Sequence, residues 1–97
     1  MAGVLTQQQV HAAMAEHPHW TAHEGALTRA VQAPDFMAGI RLVGDVAEVA
    51  EEMNHHPDVD IRWTTVKFSL TTHSEGGVTE HDVTLAGRID EIVDRMG

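Results

Sequence analysis

The chain contains no cysteine. Disulfides, thiolate metal sites and a cysteine nucleophile are therefore excluded. Cationic side chains are scarce: six Lys and Arg stand against fifteen Asp and Glu, for a formal net charge of −9. The six (Arg29, Arg41, Arg62, Lys67, Arg88 and Arg95) are scattered along the chain. Phosphate backbones attract clustered cations, so nucleic-acid binding by this chain alone is not expected. No apolar run approaches the ~20 residues of a membrane span, and no basic stretch leading into an apolar one opens the sequence. The expectation is a soluble cytoplasmic protein with no membrane partner. Glycine-rich phosphate loops, G-x-S-x-G and H-E-x-x-H are also missing.

Ninety-seven residues suit one domain, spanning 1–97. A chain this short buries only about two thirds of its unfolded surface, so burial through self-association would help. Against these shortages stands one excess, eight histidines.

Thr6-Gln7-Gln8-Gln9 has the form of a capping box, with Leu5 and Val10 placed as a hydrophobic staple. It predicts a helix from about Gln7 to Glu16, stopped by Pro18. His19 to His23 is short and can be extended, and Glu24-Gly25 reads as a turn. Ala26 to Ala33 then alternates Leu27, Arg29 and Val31 against Thr28, Ala30 and Gln32, which is strand-like. Asp35 is placed as the N-cap of the longest helix, Phe36 to Met53. Phe36, Ile40, Val43, Ala47 and Ala50 form one apolar stripe on it, and Leu42, Val46, Val49 and Met53 form a second. So wide an apolar surface lies deep in the core or buries one stripe against another subunit. Gly39 and Gly44 lower its helix propensity but allow close packing.

Val59, Ile61 and Trp63 alternate, then Val66, Phe68 and Leu70 alternate in the opposite phase. The shift at Thr64-Thr65 implies a two-residue turn or a bulge. Ser74 to Gly77 is a loop. Thr79-Glu80-His81-Asp82 is a second capping box, stapled by Val78 and Val83, and opens a last helix that buries Leu85, Ala86, Ile89, Ile92, Val93 and Met96. The order α-β-β-α-β-β-α implies an α+β fold, a two-layer sandwich of a four-stranded antiparallel sheet with helices packed on one face.

Chemistry concentrates in Glu51-Glu52-Met53-Asn54-His55-His56-Pro57 and in His73, eighteen residues after His55. Histidine is the side chain best suited to proton transfer near neutral pH. Pro57 pushes its predecessor out of helical conformation, so the long helix ends near Asn54 and its free carbonyls lie beside the His55-His56 pair. Glu51, four residues before His55, is placed to orient an imidazole. Taken alone, the pair is better explained as two solvated histidines at a helix end, and His73, by its parity, as an exposed strand-end residue. Trp20 and Trp63 supply a flat wall for a ligand or simply pack in a core. The capping box by itself accounts for Asp82. His17, His19 and His23 lie near one another, but Pro18 breaks helical ligand geometry and no fourth ligand is indicated, so no metal site is expected.

Together these residues are more specific than any one of them. Glu51, three residues, His55-His56-Pro57, five residues, Trp63, nine residues, His73, eight residues and Asp82 form a pattern that resembles the signature of the pterin-4a-carbinolamine dehydratases. Trp20, the Asp35-Phe36 helix start, Leu70-Thr71-Thr72-His73 and Gly77-Val78-Thr79 also look like that family, so the resemblance covers about Trp20 to Met96. Departures are Asn54, where many members have Asp, and Val59, where many have an aromatic residue.

The resemblance implies dehydration of a 4a-hydroxytetrahydropterin to the quinonoid dihydropterin, with no cofactor, no metal and no covalent intermediate. His55 and His73 match positions proposed as general acids in the family, and His56 matches one implicated in substrate binding and proton transfer. Glu51 would tune a histidine, and Trp20, Trp63 and Asp82 would support the pterin site. The resemblance further implies a homodimer or homotetramer, paired sheet edge to sheet edge or through the long helix, and a pterin-dependent hydroxylase in the same pathway. The competing reading is a non-catalytic module, since animal members also act as dimerisation cofactors for a homeodomain transcription factor.

Overall fold

Local signals account for every element of the computed structural model, which describes residues 3–96. Thr6 accepts from the N–H of Gln9 at 3.1 Å and Gln9 accepts from the N–H of Thr6 at 2.8 Å, so the first capping box closes and α1 runs Gln7–Glu16. Strands β1 (Thr21–His23) and β2 (Ala26–Gln32) are joined by Glu24 and Gly25, at φ 48° and 78°. Two consecutive positive φ values mark a type I′ hairpin turn, which Gly25 adopts without cost. Helix α2 (Phe36–Met53) starts at Asp35, whose carboxylate accepts from the N–H of Ala38 at 2.8 Å.

Strands β3 (Asp58–Arg62) and β4 (Thr65–Leu70) pair from Arg62 opposite Thr65 to Asp58 opposite Ser69. The connection is a two-residue turn at Trp63-Thr64, one residue earlier than the change of phase suggested. Trp63, at φ 53°, alone takes the positive value, as in a type II′ turn. Trp63 has therefore left the strand and does not continue the Val59–Ile61 alternation. Helix α3 (Glu80–Arg95) opens with Thr79 as N-cap, and the Asp82 carboxylate accepts from the N–H of Thr79 at 2.8 Å.

The sheet order is β1-β2-β4-β3, antiparallel throughout, with the helices on one side. Leu27 and Val31 of β2 and Val66, Phe68 and Leu70 of β4 face Leu42, Val46 and Val49 of α2 and Leu85, Ile89 and Ile92 of α3. Of the two apolar stripes on α2, the one carrying Leu42, Val46 and Val49 is therefore in the core. Phe36, Met37 and Ile40 are exposed instead. Arg29 pairs in register with Phe68 and so points inward, where the Asp90 carboxylate of α3 neutralises it.

The two glycines of α2 differ. A Cβ on Gly39 would meet Val66 Cγ2 at 3.2 Å, so this glycine lets helix and sheet approach closely. A Cβ on Gly44 would meet nothing within 4 Å. Gly44→Ala is expected to raise stability by about 0.5–1 kcal/mol through helix propensity. Gly39→Ala should lose that gain to the contact with Val66. Urea unfolding of both variants against the parent checks the contrast.

Candidate active site

Helix α2 ends in a way that sets the direction of both adjacent histidines. Asn54 takes the left-handed conformation, φ 50° and ψ 43°. Its N–H donates to the Glu51 carbonyl at 3.2 Å and that of His55 to the Ala50 carbonyl at 3.0 Å, which is a Schellman motif. Asn tolerates this backbone better than most residues, so the departure at Asn54 suits the cap. The chain reverses there, and His55 turns inward while His56 turns out.

His55 reaches across to α3, where its Nε2 lies 2.6 Å from Asp82 Oδ1. Its side chain is 13% exposed and that of Asp82 is 0% exposed. Asp82 Oδ2 accepts from the N–H of Thr79 and from the Thr72 hydroxyl, each at 2.8 Å. Thr72 spends its proton on Asp82, so the Thr79 hydroxyl, 2.8 Å away, must donate to Thr72. Thr79 Oγ1 in turn accepts from the N–H of His81 at 3.2 Å. All the directions in this buried chain are thus fixed. With a carboxylate acting as acceptor, His55 Nε2 donates, and Nδ1 is the ring nitrogen not engaged by Asp82.

Glu51 pairs with His56, not with His55 as helical spacing suggested. The left-handed residue between them breaks the helical register, and the fifth residue, not the fourth, meets Glu51. His56 and Glu51 line a groove of about 180 Å³ with Val43, Ala47, Pro57 and Val59. Val59, the second departure from the family pattern, is thus a wall of that groove. His73 is exposed and follows Thr72, whose backbone bridges to Gly77 across a tight turn. The Thr72–Asp82 bond therefore holds the His73 backbone beside the His55–Asp82 pair.

Neither tryptophan makes a hydrogen bond to His55, His56 or His73 among the described residues. Trp20 is 4% exposed, and its indole N–H donates to Asp90 Oδ1 at 2.8 Å. Asp90 lies eight residues beyond Asp82, about 12 Å along the helix. The Trp20 side chain packs in the core, where Asp90 satisfies its one polar atom. Trp63 is 80% exposed at the far end of β3 from His56, about 17 Å away for a five-residue strand. His17 goes to Asp90 and His23 to Glu24, separate partners. Among the described residues no group of three or more His, Asp or Glu is placed to hold a metal ion. None of their helices is long and apolar enough to cross a membrane.

Sequence reasoning missed Thr72 and His81. Thr72 carries the inward parity of Val66, Phe68 and Leu70, so a polar residue at that position was a readable signal. His81 is exposed, with its ring centroid 5.6 Å from that of His55 and the planes tilted by 38°. Nothing in its sequence neighbourhood announces that contact across 26 residues.

Comparisons with known proteins bear on the family and the fold. The sequence model of the family described as pterin 4 alpha carbinolamine dehydratase matches residues 3–92. A relative from Mycobacterium sp. (strain KMS), provisionally named pterin-4-alpha-carbinolamine dehydratase, is 56% identical over 92 residues, 95% of this chain and 98% of its own. One from Mycobacterium tuberculosis (strain ATCC 25618 / H37Rv), with the same provisional name, is 54% identical over 87 residues, 90% and 93% of the two chains. The crystal structure of a transcriptional coactivator/pterin dehydratase from Brucella melitensis superposes with a TM-score of 0.91 at 30% identity, covering 94% and 99%. A pterin dehydratase-like RuBisCO assembly factor of the alpha-carboxysome shares the fold, with a TM-score of 0.60 at 21% identity and 76% and 86% coverage.

The buried hub gives an expectation for stability. Asp82→Ala strands the Thr72 hydroxyl and the Thr79 N–H and should cost about 2–4 kcal/mol. His73→Ala, at an exposed position, should leave the urea midpoint unchanged. Equilibrium unfolding of the two variants measures the difference.

Proposed function

The chain belongs to the pterin 4 alpha carbinolamine dehydratase family, and on that footing we propose that it dehydrates a 4a-hydroxytetrahydropterin to the quinonoid dihydropterin by histidine acid–base catalysis. The observation that carries this reading is the His55 imidazole, whose Nε2 is held by a fully buried carboxylate and whose Nδ1 has no hydrogen-bond partner among the described residues. His56 and His73 emerge at the same end of the sheet, where β3 begins and β4 ends.

The reaction asks for two proton transfers around a flat heterocycle. The C4a hydroxyl leaves as water once it receives a proton, and the electron pair of the N5–H bond closes the C4a–N5 double bond. The N5 proton goes to a base. In this reading His55 and His73 supply the acid function, and His56, oriented by Glu51, binds substrate and accepts or relays the proton. Asp82 holds His55 in one tautomer and orientation, as a carboxylate behind a catalytic imidazole does elsewhere. The product feeds the recycling of a pterin cofactor oxidised by a hydroxylase. Self-association through the open edge of β3 and the exposed Phe36, Met37 and Ile40 of α2 completes the proposal.

One observation favours a second reading, a protein-interaction module. The same exposed apolar residues of α2 would suit a protein partner, and the Brucella melitensis relative is described as a coactivator as well as a dehydratase. A stoichiometric partner without dehydratase activity would support it.

Stopped-flow decay of a 4a-hydroxytetrahydropterin decides between the two. His55→Ala and His73→Ala are each expected to lower the rate by about 10²–10⁴-fold, the range of a lost general acid or base, with unchanged circular dichroism. Decay in wild-type protein no faster than the spontaneous reaction would overturn the enzyme reading.

A further inference from the structure

Acid–base dehydration leaves a proton imbalance inside the site after each turnover. The acid has lost a proton to the departing water and the base has gained one from N5. Overall no proton is consumed, so one must travel back before the next substrate. His55 is poorly placed to do this alone. Its Nε2 is committed to Asp82, its side chain is 13% exposed, and Asp82 is sealed from solvent.

His81 stands at the junction between this pair and solvent. It is exposed, and its ring lies against that of His55 with centroids 5.6 Å apart. Among the described residues no direct hydrogen bond joins the two rings, and at that separation a single water can bridge their nitrogens. Its backbone is held by the same cap that holds Asp82, because its N–H donates to Thr79 Oγ1 at 3.2 Å. That bond fixes the helix turn that carries the ring beside the pair. Among the described residues, no other aromatic or imidazole ring is in ring contact with His55. The sequence pattern that pointed to His55, His56 and His73 left His81 out.

We propose that His81 is the proton-exchange partner of His55, carrying protons between the buried His55–Asp82 pair and solvent. This role rests on the dehydratase reading for its use in turnover, but not for its existence. His81 touches His55 through its ring, and no contact with substrate is required of it.

His81→Phe keeps a flat ring against His55 and removes both nitrogens. At low buffer concentration its kcat is expected to fall at least about ten-fold, with KM little changed, as for the loss of a proton carrier. Added imidazole should restore that rate and leave wild type unaffected. A variant with wild-type kcat, or a deficit that imidazole does not repair, would overturn the proposal. The second outcome is what lost packing alone produces. A readout independent of turnover is the exchange of the His55 ring N–H with water, followed by nitrogen-15 NMR. It should slow at least about ten-fold in His81→Phe, since only the carrier is removed. Equal exchange in the two proteins would sink the proposal whether or not the protein is a dehydratase. Conversely, slowed exchange in a protein with no dehydratase activity would leave the relay standing and remove the reading of the site.

Discussion

One buried carboxylate ties three distant pieces of chain together. Asp82 accepts from the Thr79 N–H at the start of α3, from the Thr72 hydroxyl past the end of β4, and from His55 past the end of α2. Each of these groups would be costly to bury alone. Among the described residues no fully buried side-chain nitrogen or oxygen lacks a partner, so the hub is closed. Helix capping and imidazole positioning are thus not rival explanations of Asp82. One oxygen serves the cap and the other serves the histidine.

What was legible in the sequence was mostly local. The capping boxes at Thr6 and Thr79, the N-cap at Asp35 and the turn at Glu24-Gly25 depend on residues within a few positions of one another, and each forms as its spacing implied. The long-range contacts followed different rules. His55 and Asp82 are 27 residues apart, and their meeting is decided by the left-handed turn at Asn54, which no periodicity reveals. The same turn moved Glu51 from its helical neighbour His55 to His56. Thr72 was legible in part, as the polar member of an inward-facing stripe. The family resemblance set His55, His56, His73 and Asp82 in one pattern, without showing which side chain bonds to which.

A second polar hub, two helical turns along α3, explains the placement of Trp20. Asp90 accepts from the Trp20 indole and from Arg29, and it lies 3.7 Å from His17. An inward-facing arginine in β2 would be untenable without that carboxylate. Helix α3 thus presents two acidic residues to the interior, one joined to β4 and the end of α2, the other to β2 and the segment before β1. The sheet and helices are fixed to one another by directional contacts at both ends, and the apolar layer between them supplies the burial.

The two tryptophans occupy opposite surroundings, one sealed against Asp90 and one standing in water at a hairpin tip. The chain has no tyrosine, so its near-ultraviolet absorbance and emission come almost wholly from this pair. Light emitted by Trp20 reports the packing of α3 on the sheet, whereas light from Trp63 reports whatever approaches the β3–β4 turn. An aqueous quencher such as iodide silences the second and spares the first. The molecule therefore carries two separable optical probes, one for its interior and one for its surface, with no label added.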